Sequence, residues 1–106
     1  MVPQQAIKRY AREVARAFQP WRIVLFGSYA HGSATADSDV DVLVILPYQG
    51  SSVRKALEIM ETIRPGFPVD LLVRSPEEVD RRLAQEDFFL REVTERGKVL
   101  YEAPHP

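Results

Sequence analysis

The chain has 106 residues, 45% of them hydrophobic, which suits one compact domain and leaves no room for a second core of useful size. Fourteen basic residues against fifteen acidic ones give a net charge of -1, so no bulk field draws the protein to nucleic acid or to an anionic membrane. The absence of cysteine excludes disulfides, thiolate metal sites and thiol nucleophiles, and with no apolar run near the roughly 18 residues of a membrane helix and no signal-peptide pattern, a cytoplasmic location is expected.

Ile7, Tyr10, Ala11, Val14, Ala15 and Phe18 recur at three- and four-residue spacing and predict an amphipathic helix between Pro3 and Pro20. Ile23 to Phe26 is a short apolar run ending at Gly27, which reads as a buried strand feeding a turn; Ser28 is then expected to cap a short helix reaching Gly32, with a polar loop from Ser33 to Ser38. From Asp39 to Leu46 a strand is apolar on both faces except where Asp39 and Asp41 begin one of them. Ser51 or Ser52 caps a third helix carrying Val53, Ala56, Leu57, Met60 and Ile63 on one side, ended by Pro65-Gly66. Val69 to Val73 is another core strand interrupted by one early acid, Asp70. Ser75-Pro76-Glu77-Glu78 opens a helix through about Ala84. Phe88 to Thr94 form a helix after Asp87 that stops at Gly97, and Val99 to Tyr101 add a last strand. Residues 1–102 are read as one domain and 103–106 as a frayed tail that includes His105.

Three carboxylates on two apolar strands are the chemical signal. Asp39 and Asp41 lie two apart, so both side chains leave the same face of the strand. Two ionised carboxylates held together share a proton or bind a cation, and hard oxygen donors favour Mg2+ or Mn2+ over softer metals. Asp70, on a strand that can neighbour the first, supplies a third donor and leaves coordination positions for water and triphosphate oxygens. Asp-x-Asp alone often only starts a strand, and Gly27-Ser28 alone is usually only a turn. Strand, Gly27-Ser28, ten residues, Asp39-Val40-Asp41 and a later Asp70 together form an ordered constellation that chance rarely assembles, with a turn suited to a phosphate chain.

In Leu25-Phe-Gly-Ser-Tyr-Ala-His-Gly-Ser-Ala-Thr-Ala-Asp-Ser-Asp-Val-Asp-Val-Leu-Val44 and in Val69-Asp70-Leu71-Leu72, the chain resembles the nucleotidyltransferase superfamily of DNA polymerase β type, most closely its minimal stand-alone (MNT) members. The resemblance covers nearly the whole sequence and implies an α/β (α+β) fold, a mixed sheet of about four strands flanked by helices. It implies that Asp39 and Asp41 ligate a nucleotide-bound metal, that Asp70 completes a second one, and that Gly27 and Ser28 hold the terminal phosphates. His31 stands where many relatives carry Arg, and either hydrogen-bonds to a phosphate or fills the turn. Relatives of this size pair with a helical HEPN protein as antitoxin and toxin, which implies ATP as donor and a hydroxyl of the partner, a tyrosine by that analogy, as acceptor.

Two other functions stay open on sequence alone: a non-catalytic module that only binds its partner, and a transferase acting on a small molecule in a homo-oligomer. No clustered positive charge suggests a nucleic-acid site. Tyr10 and Trp21 read as core or edge packing. Phe88 and Phe89 are adjacent on one helix, so at most one faces the core and the other marks ordinary packing or an interface.

Overall fold

The computed structural model describes residues 1–104, so the expected behaviour of His105 and Pro106 at the end of the tail lies outside the described residues. Nine elements follow in order: α1 (Gln4–Phe18), β1 (Arg22–Phe26), α2 (Ser28–His31), β2 (Val40–Ile45), α3 (Ser52–Thr62), β3 (Val69–Arg74), α4 (Pro76–Ala84), α5 (Phe88–Arg96) and β4 (Lys98–Glu102). The strands form one mixed sheet ordered β3-β2-β1-β4. β1 is antiparallel to both β2 and β4, joined to β2 through the α2 turn, whereas β2 and β3 are parallel. A parallel pair needs a crossover, and α3 supplies it. This is the mixed α/β arrangement the sequence predicts.

Alternation along the strands divides the core in two. Ile23, Leu25, Val40, Val42, Val44 and Val73 turn to one face and pack with Ile7, Tyr10 and Val14 of α1 and Ile59 of α3. Val24, Phe26, Leu43 and Ile45 turn to the other and meet Val79 of α4 and Leu90 and Val93 of α5. Tyr10 is core, as expected: its ring meets Phe67 edge-on at 6.0 Å, its hydroxyl reaches Met60 Sδ at 3.7 Å, and burial pushes its pKa up to about 12. Trp21 is an edge residue, and the tail begins tethered, because Ala103 N–H donates to the Trp21 carbonyl at 2.9 Å.

Capping follows the sequence at two helices, and Asp87 caps a third. Ser51, Ser75 and Asp87 accept from the backbone N–H groups of Arg54, Glu78 and Leu90 at 3.1, 3.2 and 3.0 Å. Two expectations change. Ser28 is the first helical residue of α2, not its cap; Gly27 holds the cap position at φ 72°, ψ -154°, a region that a side chain opposes. On α3 the fully buried residue is Ile59, whereas Val53 and Leu57 are exposed. β3 is an edge strand, and those two side chains line a groove beside it together with Leu71 and Arg74.

The corner between α4 and α5 is tied by Arg82, which donates to Glu78 at 2.9 Å and to Asp87 at 3.4 Å. At the other end of α5, Gly97 joins directly to β4 with an ordinary negative φ, so it is needed for space. A Cβ there would run into the Val93 and Leu25 carbonyl oxygens and a Val24 methyl. Gly97→Ala is expected to destabilise the protein by about 2 kcal/mol through overpacking, seen as a lower urea midpoint with an unchanged m-value.

Candidate active site

The three aspartates lie toward one end of the sheet, on the face that α4 and α5 cover elsewhere. Asp41 shares its strand face with Leu43 and Ile45, and Asp70 shares its own with Leu72, all on that side. In the parallel ladder Asp41 pairs directly with Asp70, and in the antiparallel ladder it pairs with Phe26, the residue before Gly27. Asp39 lies just before β2, outside the strand proper, and is exposed. Its approach is ordered locally. Ser38 Oγ accepts from Thr35 N–H at 2.9 Å, Ser38 N–H donates back to the Thr35 carbonyl at 3.1 Å, and Val40 N–H donates to the Pro68 carbonyl at 3.0 Å.

Asp41 is the half-buried member of the three, and its carboxyl is held above the usual carboxylate range. Burial is the largest cause, followed by repulsion from Asp70 and then Asp39. The three carboxylates therefore act on one another electrostatically, and no basic side chain among the described residues forms an ion pair with any of them.

Gly27 makes the approach possible. A Cβ on this residue would fall on Asp41 Oδ2, with Asp41 Cγ only 3.1 Å away. The turn and the carboxylate thus occupy neighbouring space that no other residue type leaves free. Ser28 is half-buried at the start of α2, and its carbonyl accepts from Ser33 N–H at 3.0 Å. His31, at the end of α2, is exposed.

A cavity of about 270 Å³ opens beside these groups. Gly27, His31 and Asp41 line one side of it; Phe89, Glu92 and Val93 of α5 line the other. Two of the bordering side chains, Phe89 and Glu92, are not singled out as site residues by the sequence pattern. Their spacing of three along α5, beside the buried Val93, places them on the helix face turned to the sheet.

Among the described residues no three His, Cys, Asp or Glu side chains draw close enough to enclose a metal ion unaided. The donor set nevertheless suits an oxygen-loving divalent cation: three carboxylates without a basic counterpart, one of them strained by the others, beside a turn stripped of its Cβ. Magnesium is usually held by one or two carboxylates, with water and phosphate oxygens completing the shell, so an incomplete protein cage is the form such a site takes.

Known proteins are similar to this chain along most of its length. The family model described as "Nucleotidyltransferase domain" matches residues 7–100. The provisionally named protein adenylyltransferase MJ0604 of Methanocaldococcus jannaschii is 30% identical over 107 residues, covering 95% of this chain and all (100%) of that protein. The protein adenylyltransferase MntA of Thermococcus cleftensis is 34% identical over 74 residues, 68% of this chain and 74% of that one. A structure provisionally named a nucleotidyltransferase, from Sulfolobus solfataricus, superposes with a TM-score of 0.65 at 22% identity, covering 95% of this chain and 81% of that one. A toxin-antitoxin structure with AMP-PNP superposes with a TM-score of 0.53 at 20% identity, covering 92% and 74%. At these identities the two structures speak for the fold.

The strained carboxylate has a thermodynamic signature. Because the folded-state pKa of Asp41 is raised, its contribution to stability is full below the unfolded carboxylate value and is lost as pH rises through the folded value. At neutral pH the ionised group therefore works against the fold. Asp41→Asn is expected to raise the unfolding temperature at pH 7 in chelator, with the gain vanishing near pH 3; thermal melts of both proteins across that range check it.

Proposed function

The chain belongs to the nucleotidyltransferase domain family and is an enzyme of that class, and from that premise we propose that it moves AMP from ATP to a hydroxyl on a partner protein, as the antitoxin of a HEPN-type pair. The observation that carries this reading is the register of Asp41 against Asp70 with Asp39 two residues before, beside a turn whose glycine leaves room for the Asp41 carboxylate. The names of the two curated relatives support protein adenylyl transfer, and the toxin-antitoxin structure with AMP-PNP supports an adenine nucleotide donor and a paired arrangement.

Asp39 and Asp41 would hold the cation that accompanies the nucleotide, and Asp70 would complete the site for a second on the acceptor side. Bound there, divalent metal supplies charge neutralisation on the phosphate oxygens and a lowered pKa for the attacking hydroxyl. The protein's own part is positioning. Gly27 lets the turn lie against the Asp41 carboxylate, Ser28 would offer its hydroxyl to the terminal phosphates, and His31 would be a further donor on the cavity that Gly27 and Asp41 line. In this reading the paired strands would fix the carboxylates, and in-line attack would put the acceptor oxygen and the leaving pyrophosphate on opposite sides of the α-phosphorus.

The catalytic fold uses nearly all the described residues, and this reading places the acceptor on a separate protein chain. Val53 and Leu57, two exposed apolar residues one helical turn apart above the edge strand, line one groove with Leu71 and Met60, and this reading places the partner on that apolar groove.

With α-labelled ATP, magnesium and host lysate, the wild-type protein is expected to label one protein band. Asp41→Asn is expected to lower labelling by roughly a hundredfold or more while remaining folded. No labelled band with any of the four NTPs would replace this reading with that of a binding module. Asp70→Asn is expected to lower turnover while leaving nucleotide affinity near that of wild type, compared by single-turnover transfer and equilibrium binding; equal losses in both would remove the division of roles.

A further inference from the structure

The cavity beside Asp41 is built from two unlike halves. One half carries the polar groups of the phosphate turn, Gly27 and His31, with Asp41. The other is a short aromatic and acidic wall from α5. The Phe89 ring stands edge-on to Phe26 at 5.5 Å and 86°, yet remains 49% exposed, so much of its surface lacks a partner within the chain. Glu92, one turn further on, is exposed and makes no ion pair among the described residues.

The volume of about 270 Å³ falls below the roughly 300–1,000 Å³ of pockets that enclose a drug-sized ligand, so it takes one part of a nucleotide. A half-exposed aromatic ring suits a flat heterocycle, because every base offers a π-face for stacking. A carboxylate accepts hydrogen bonds and donates none, so Glu92 complements a ring edge that bears N–H groups. With the phosphates assigned to the β1–α2 turn, the part of the nucleotide left for the cavity is the base, against α5.

We propose that the space between α5 and the β1–α2 turn is the nucleobase subsite, with Phe89 as its stacking ring and Glu92 as the acceptor that reads an exocyclic amine. This deepens the transferase reading and rests on it. It also assigns base preference to α5, an element outside the glycine-aspartate signature.

The tests are equilibrium binding titrations in magnesium with three probes: ATP, ITP, which keeps the purine but replaces the exocyclic amine by a carbonyl, and inorganic tripolyphosphate. Phe89→Ala and Phe89→Leu are expected to bind ATP roughly tenfold more weakly and tripolyphosphate as wild type does, while Phe89→Trp keeps ATP affinity. The leucine variant retains apolar packing on Phe26 and loses only the flat face, which separates stacking from folding. Glu92→Gln is expected to narrow the preference for ATP over ITP. Wild-type ATP affinity in the alanine and leucine variants, or equal losses for ATP and tripolyphosphate, would overturn the stacking role, and an unchanged ATP-to-ITP ratio in Glu92→Gln would overturn the acceptor role. ATP binding that depends on Phe89 without any transfer would leave the subsite standing and remove the transferase reading. A wild-type protein that binds no NTP would overturn both.

Discussion

The register of β2 against β3 is the constraint on which the site depends, because it sets Asp41 beside Asp70 with no basic residue between them. Parallel pairing is achieved only through a crossover, so α3 has to pass over one face of the sheet before β3 can return beside β2. A slip of one residue would turn Asp70 to the opposite face and bury it among the side chains packed under α1 and α3. Val69, Leu71 and Val73 guard against that slip, since their packing against the helices of that face would be lost with it. The same apolar alternation that builds the core therefore also sets the positions of the acids.

Gly27 enters through a second route. Its positive φ turns the chain from β1 into α2, and its missing Cβ lets that turn lie directly against the Asp41 carboxylate. Two demands, conformational and spatial, fall on one residue. Asp41, crowded by Gly27 on one side and repelled by Asp70 and Asp39 on the other, sits in a state that a neutral amide would relieve. Sites arranged for chemistry commonly trade stability for function in this way.

Most of the fold is legible in the sequence because it rests on local periodicity. Continuous apolar runs broken only by early aspartates mark β2 and β3, three- and four-residue spacing marks α1, and Ser51, Ser75 and Asp87 cap where their side-chain chemistry requires. The exchange of Ser28 for Gly27 at the start of α2 is not local in the same sense: serine caps well in general, but the backbone angles at position 27 exclude a side chain and take the cap position first. Strand order is hidden too, because β1 lies between β2 and the distant β4, and no periodicity reports which strands pair. The three aspartates and the glycine turn are readable from spacing. Phe89 and Glu92 are not, since what brings them to Asp41 is the seating of α5 through Leu90 and Val93 on Val24 and Phe26.

The strand order has one more consequence. β1 and β2 are each hydrogen-bonded on both sides, whereas β3 is bonded only to β2. Opening β1 or β2 means unfolding the sheet, but an edge strand can detach in a local fluctuation at lower free energy. Asp41 is thus carried by a strand held on both sides and Asp70 by a strand held on one. The carboxylate cluster is an assembly of two unequal supports, and the weaker of them is the outer strand.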